Sequence, residues 1–394
     1  MKVLVCHPGT QHAGKLAVML QRQNSLGGFV TGFRPRPDSF LARRLRLSGL
    51  RSLEESLAPV TTQIRAPEVF GKLAQCLGWK GERLMRARNA WFQKLIPARM
   101  LAASDAVIGF DTASWILAQR ARGLGKPFVL DRAAVHRPAR VKLRAQFGAI
   151  GFGAGEREDI GGAQDRCEAA EVELASRVVV ASRFSEHSLL EAGVAREKVA
   201  VIPYGVNWDF FAANGPRTSA PEKVVFLFVG LLKAEKGVGV LLDAWQRLAA
   251  SAAELWIAGV GDDALASRAR GMAGVKLLGK LGMDELRAAY SGASVFVFPT
   301  LCDGFGMVLL EAMAAGLPLI ATPNCAAPEL IEGNGSGEIV PPGDAVALAA
   351  AMAAVIANPA AWTAKGNAAR ESARAYSWEG YGEKWNVLLQ EVVA

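Results

Sequence analysis

A chain of 394 residues exceeds what one hydrophobic core organises, and at roughly 150 residues per domain it predicts two units. Hydrophobic residues make up 51% and charged residues 21% of it, which excludes a disordered or fibrous chain. The formal net charge of +8 favours anionic partners. Cys6, Cys76, Cys167, Cys302 and Cys325 are odd in number, widely spaced and form no C-x-x-C pair, so they read as reduced core thiols of a cytosolic protein.

Met1 to Cys6 is an apolar run too short for a signal peptide, and it breaks at once into His7-Pro8-Gly9, as a buried first strand would. The loop His7-Pro-Gly9-Thr10-Gln11-His12-Ala-Gly14 then faces a cleft. Arg34, Arg36, Arg43, Arg44, Arg46 and Arg51 share a segment with one acid, Asp38, and with Phe40, Leu41 and Leu45. Such a stretch suits an anionic leaflet or a lipid diphosphate, and equally a solvated helix face. No run approaches the roughly 18 consecutive apolar residues of a membrane span; the Ala-rich run after Asp344 is shorter and opens on a plausible N-cap.

Short apolar runs alternate with helical patterns throughout, the signature of doubly wound parallel sheets. Strands are predicted at Lys2 to Cys6, Ala106 to Gly109, Pro127 to Leu130 and Val178 to Ala181, each leading toward a helix. Gly148 to Gly162, with Gly151-Phe-Gly-Ala-Gly155, lacks the strand and spacing of a dinucleotide fingerprint and reads as a mobile acceptor loop. Glu168, Glu171 and Glu173 are left unassigned, because helical surface glutamates are common. After Val201 to Asn207, residues 212–222 are rich in Gly, Pro, Ala, Ser and Thr and read as a linker. The rhythm then restarts with strands at Val224 to Val229, Glu254 to Ala258, Val275 to Leu278, Val295 to Phe298 and Pro318 to Ala321. Trp378, Tyr381, Trp385, Leu388 and Leu389 recur at helical spacing to the end.

The chemistry-bearing segment is Phe298-Pro-Thr-Leu-Cys-Asp303-Gly-Phe-Gly306-Met-Val-Leu-Leu-Glu311. A strand ends, a glycine-bearing loop follows, and a helix opens near Gly306. Its first amides, on Gly306, Met307 and Val308, and its dipole suit a phosphate or sugar oxygen. Gly304 and Gly306 allow close backbone approach on either side of Phe305. Asp303 and Glu311, with seven residues between them, can grip hydroxyls at two points of one ligand. Read alone, Asp303 also fits a helix cap and Glu311 an exposed helix residue.

This segment resembles the E-x7-E signature of the retaining glycosyltransferases of family GT4, and most of the C-terminal half is similar to that family. Val229-Gly-Leu-Leu-Lys233-Ala-Glu-Lys236-Gly237 resembles its G-R-L-x-x-x-K-G loop; Leu231 stands at the arginine position, Lys233 nearby, and Asp303 replaces the first glutamate. The resemblance implies a GT-B fold: an acceptor-binding unit over 1–205 joined by a helix at 377–394, and a nucleotide-sugar unit over 206–376. It implies that Asp303 and the Gly306–Val308 amides hold the donor sugar and phosphate. Glu311 would bind the ribose and Lys236, aided by Lys233, would balance the diphosphate. Backbone at Lys276 and Leu277 would face the base. Gly9 and Thr10 stand where the family carries a glycine pair, and His136 where it carries a histidine beside the transferred sugar.

The function so implied is transfer of a hexose-type sugar from a UDP- or GDP-sugar, with retention, to a saccharide or polyprenyl-diphosphate-linked acceptor in bacterial surface-polysaccharide or glycan assembly. No cofactor, metal or nucleic acid is expected, since Gly261-Asp262-Asp263 reads as a loop rather than a D-x-D site. The expected place is cytoplasmic, peripheral at the inner face of the membrane. The alternatives are a nucleotide-sugar epimerase or phosphorylase on the same fold, or a sugar-nucleotide binding protein without turnover.

Overall fold

The structure is a computed structural model and describes residues 1–9, 12–33, 54–79, 81–152, 162–213, 215–216, 219, 222–248 and 253–394. Thr10, the arginine-rich stretch 34–51 and the centre of the 148–162 run lie outside the described residues.

The first seven strands are β1 Val3–His7, β2 Leu26–Thr31, β3 Thr61–Gln63, β4 Ala106–Phe110, β5 Phe128–Arg132, β6 Arg177–Val180 and β7 Val199–Val201. The next six are β8 Val224–Val229, β9 Ala253–Ala258, β10 Val275–Gly279, β11 Val295–Phe298, β12 Leu319–Ala321 and β13 Gly337–Ile339. Among the described residues they form two parallel sheets, ordered β3-β2-β1-β4-β5-β6-β7 and β10-β9-β8-β11-β12-β13. Helices cover both sheets, which is why the central strands β1, β4 and β11 are apolar and buried along their whole length. The two parallel sheets are those the alternation of runs implies, and together they have the GT-B architecture that the resemblance implies. β2, β3 and β13 have no counterpart in the sequence reading, because Leu26-Gly-Gly-Phe is glycine-diluted and the other two are three residues long.

The helix Trp378–Val393 returns to the first unit. Tyr381, Trp385, Leu388 and Leu389 are buried on one side of it, and it lies along the helix Ala13–Arg22. Ser25 Oγ bonds Asn386 at 2.9 Å and Arg22 meets Glu379 at 2.8 Å. A side chain at Gly382 would collide with Met19 at 2.5 Å, so glycine is what lets the two helices touch. Asp344 caps the helix Ala345–Ala357 through the amides of Val346 and Ala347, and Leu348, Ala351, Met352 and Val355 of that helix are buried. Among the described residues no single helix is long and apolar enough to cross a membrane.

One sequence reading needs correction at the end of β5: the strand runs on through Asp131 and Arg132, which continue the ladder with Val179 and Val180 of β6. Glu168 and Glu171, which the sequence leaves unassigned, are almost wholly buried. Glu171 accepts hydrogen bonds from the amides of Thr112 and Ser114, at 2.9 and 2.6 Å, and holds the turn after β4. Glu168 accepts from Arg132 at 3.0 Å and from Arg137 at 2.8 Å. A helical glutamate reads as exposed only until buried guanidiniums require it.

Burial alone would raise the Glu168 pKa, but Arg132, Arg140 and Arg137 outweigh it and hold the carboxyl at about 2. A depressed folded value means that this stabilisation is complete above the ordinary value of 4.5 and is lost as pH falls toward about 2. Glu168→Gln is therefore expected to destabilise the protein by about 3–5 kcal/mol at neutral pH. The deficit relative to wild type should shrink between about pH 4.5 and 2, as thermal unfolding across pH will show.

Candidate active site

The C-terminal ends of both sheets point into one cleft, the place where open α/β sheets bind ligands. From the second sheet, the loop after β11 carries Asp303, Gly304, Phe305 and Gly306 into it, and the helix Met307–Ala314 begins there. Gly306 has φ +84°, a left-handed conformation that bends the chain into the helix. Helix geometry leaves the first-turn amides without intrahelical partners, and Met307 is more than a third exposed.

The loop after β8 lies against this one. Thr300 Oγ1 and the amide of Leu301 both donate to the Glu235 carbonyl, at 3.1 and 2.8 Å. Gly237 has φ +71°, and a Cβ there would lie 1.8 Å from the Pro299 carbonyl oxygen, so only glycine lets the loops meet. The contact delivers Lys236 Nζ to Asp303 Oδ2 at 2.7 Å, with both side chains about one-fifth exposed. Burial pulls the Lys236 pKa down, but the Asp303 carboxylate reverses this and leaves it above its ordinary value, so the ammonium is charged at neutral pH. Asp303 Oδ1 also accepts the Phe305 amide at 3.1 Å. One carboxylate thus fixes both the lysine and the approach to the helix.

The first sheet supplies the opposing wall. The Gly304 carbonyl accepts hydrogen bonds from Ser182 Oγ at 2.5 Å and Ser185 Oγ at 2.9 Å. A Cβ on Gly304 would stand 1.8 Å from the Ala133 carbonyl oxygen. Beside this contact, Val135, Phe147 and Phe152 cluster with Leu301 and Cys302. His136 follows at the start of the helix Arg137–Phe147. Its amide donates to Ser188 Oγ at 3.0 Å, and its Nδ1 is buried with no hydrogen-bond partner. Burial and then Arg132 lower its pKa to about 4, so the ring is neutral near pH 7 and can donate or accept one hydrogen bond.

Gly9 lies in the loop after β1, where its amide donates to His7 Nδ1 at 2.9 Å. The same loop reaches the loop after β11 through rings: His12 packs on Tyr204 at 4.4 Å and Tyr204 on Phe305 at 5.2 Å, centroid to centroid. His12 Nε2 also lies 2.7 Å from Asp131 Oδ2.

The structure therefore gathers Lys236, Asp303, Gly304, Phe305 and Gly306 with the loop leading to His136. Met307, Val308 and Glu311 follow on the same helix, with Glu311 Oε2 accepting from Tyr290 OH at 2.9 Å. Lys233 is exposed just before the turn Ala234–Lys236, and Leu231 is half exposed. The Lys276 side chain pairs through its ammonium with Glu254 at 2.8 Å and lies over Trp256, back toward the start of β9. Leu277 is a partly buried strand residue paired with Ile257. Sequence reasoning missed Tyr204, Ser185 and Asp131. Tyr204 stood in the Ile-Pro-Tyr-Gly exit of β7, a segment that reads as mere punctuation.

Residues 223–358 match the family model described as glycosyl transferases group 1. The chain is 33% identical over 184 residues to the amylovoran biosynthesis glycosyltransferase AmsK of Erwinia amylovora, covering 43% of this chain and 45% of that one. It is 35% identical over 185 residues to the phosphatidyl-myo-inositol mannosyltransferase of Mycobacterium leprae, covering 45% and 49%. The match thus spans about half the length of these relatives. Among solved structures, HepE of Anabaena in complex with UDP superposes with a TM-score of 0.67 at 16% identity, over 99% of this chain and all of that one. Sucrose-phosphate synthase of Thermosynechococcus elongatus gives 0.67 at 19% identity, over 100% and 99%. Lys236 and the helix start stand as in that family's signature while Leu231 and Asp303 depart from it, and residues 223–358 match the group 1 glycosyl transferases on a chain of GT-B fold.

Proposed function

We propose that this chain transfers a hexose-type sugar from a UDP- or GDP-sugar, with retention of configuration, to a saccharide or polyprenyl-diphosphate-linked acceptor, and that it needs no metal ion. It would work in the cytoplasm, peripherally at the inner face of the membrane, in surface-polysaccharide or glycan assembly. The observation that carries the reading is the Lys236–Asp303 pair at the mouth of the helix Met307–Ala314. UDP bound to the Anabaena structure and the amylovoran role of the Erwinia relative support it.

Glycosyl transfer breaks the bond between the anomeric carbon and the phosphate oxygen, so negative charge grows on the departing diphosphate while positive charge grows on the sugar. A fixed ammonium and unpaired helix amides stabilise the first without reorganising at that moment. Lys236 is held by Asp303 at the spot and shares its protons with the diphosphate when donor arrives. Glu311 takes the ribose hydroxyls, its carboxylate oriented by Tyr290. His136, neutral and with Nδ1 unpartnered, hydrogen-bonds the transferred sugar or the incoming hydroxyl rather than supplying a full charge. The acceptor lies on the wall formed by the first sheet.

Four outcomes test this reading. UDP or GDP at a hundredfold excess over its Kd should stabilise the protein by about 2.7 kcal/mol. Lys236→Ala and Glu311→Ala should weaken that thermal shift with the unliganded midpoint intact; unchanged shifts in both remove the site assignment. Gly304→Ala should lower kcat/KM by roughly a hundredfold through misplacement of the walls, with nucleotide binding retained. Activity against a UDP- and GDP-sugar panel with a lipid-linked acceptor should survive chelator. Epimerised donor, or binding without turnover, would instead establish the alternatives.

A further inference from the structure

The helices Ala66–Cys76 and Glu82–Leu95 pack together as a hairpin on the first unit. Their inner sides are buried through residues such as Ala74, Leu84 and Phe92, so the hairpin is already seated on its core. Its outer side is apolar as well. Phe70, Leu73 and Leu77 follow a three-four spacing that puts them on one side of the first helix, and they are 41%, 56% and 79% exposed. Trp79 in the turn is 63% exposed, and Trp91 and Leu95, one turn apart on the second helix, are 40% and 45% exposed. The rings of Phe70 and Trp91 meet edge to face at 5.9 Å, which joins the two stripes into one surface. Single exposed apolar residues are ordinary, whereas a contiguous group of six marks a binding face.

Charge decides what covers it. Lys72, Arg83 and Lys94 are exposed on the hairpin, and Arg83 and Lys94 fall on the Trp91 side of their helix. Of its carboxylates, Glu68 is buried and paired with Arg88 at 3.3 Å, and Glu82 is paired with Arg137 at 3.2 Å. A second copy of the same face would bring like charges together. Anionic headgroups would meet the cations, while tryptophan is the side chain that settles at the boundary between headgroups and acyl chains.

We infer that this hairpin face is the surface by which the protein docks on an anionic lipid bilayer, with Leu73, Leu77 and Trp79 entering the boundary and Lys72, Arg83 and Lys94 meeting the headgroups. The inference gives a surface to the membrane association proposed above and rests on that part of it alone. Glu82 ties the hairpin to Arg137, the first residue of the helix that follows His136, so docking holds the acceptor wall close to lipid.

The test is co-sedimentation of the full chain with vesicles of phosphatidylcholine alone and of phosphatidylcholine with phosphatidylglycerol, without donor or acceptor, so that its failure leaves the transfer reading standing. Binding to the anionic vesicles is expected. Arg83→Gln with Lys94→Gln should lower it roughly twenty-fold, and Leu77→Glu with Trp79→Glu should lower it by roughly tenfold or more. Both pairs are exposed, so the unfolding midpoint should not move. Brominated lipids should quench wild-type tryptophan fluorescence, and Trp79→Phe should lose that component. Absence of binding by the wild type, equal binding by both double variants, or a dimer that the Leu77→Glu, Trp79→Glu chain converts to monomer without any vesicle binding would overturn the inference.

Discussion

The carbonyl oxygen of Gly304 belongs to the loop that serves the second sheet, yet it is held by two hydroxyls, those of Ser182 and Ser185, at the exit of the first. The whole cleft is organised around that crossing. Because Gly304 has no side chain, its backbone can close onto Ala133, and the hydroxyl pair fixes the peptide that immediately follows Asp303. Asp303 in turn fixes Lys236 and the Phe305 amide. A contact between two units therefore sets the position of the groups that would meet a diphosphate.

The electrostatics of the two walls differ in kind. On the wall from the second sheet, Lys236 is held by Asp303 beside a helix start, with both side chains partly open. On the wall from the first sheet the ionisable groups are buried. Arg132 and Arg137 share Glu168, and Glu171 spans two backbone amides, with burial pushing its pKa up to about 8. This network is structural: it fixes the strand end from which His136 departs. Burial, and then Arg132, also keeps the His136 imidazole uncharged near neutral pH.

How much of this was legible in the sequence follows from how each residue acts. Strands β8 and β11, and the helix opening at Gly306, declare themselves through local apolar runs and glycine spacing, and these are the parts that need no distant partner. The terminal stripe of Tyr381, Trp385, Leu388 and Leu389 announces that something must cover it, though not that Met19 and Gly382 would make the contact. Glu168 and Glu171 could not be assigned from sequence, because what buries them lies in arginines and amides tens of residues away. The ion pair of the Lys276 side chain with Glu254 was equally hidden, since a neighbouring strand supplies the carboxylate. Tyr204 escaped for a similar reason, since stacking between His12 and Phe305 involves three distant segments.

The chain passes between its two units twice, and the passages lie side by side. Val206 on the outward crossing forms a bridge with Ser377 on the return, its amide donating to the Tyr376 carbonyl at 2.8 Å. Gly205 has room for nothing larger than hydrogen against the Trp378 amide. One backbone bridge ties the two crossings together, so the units are joined along a single edge rather than at two separate points.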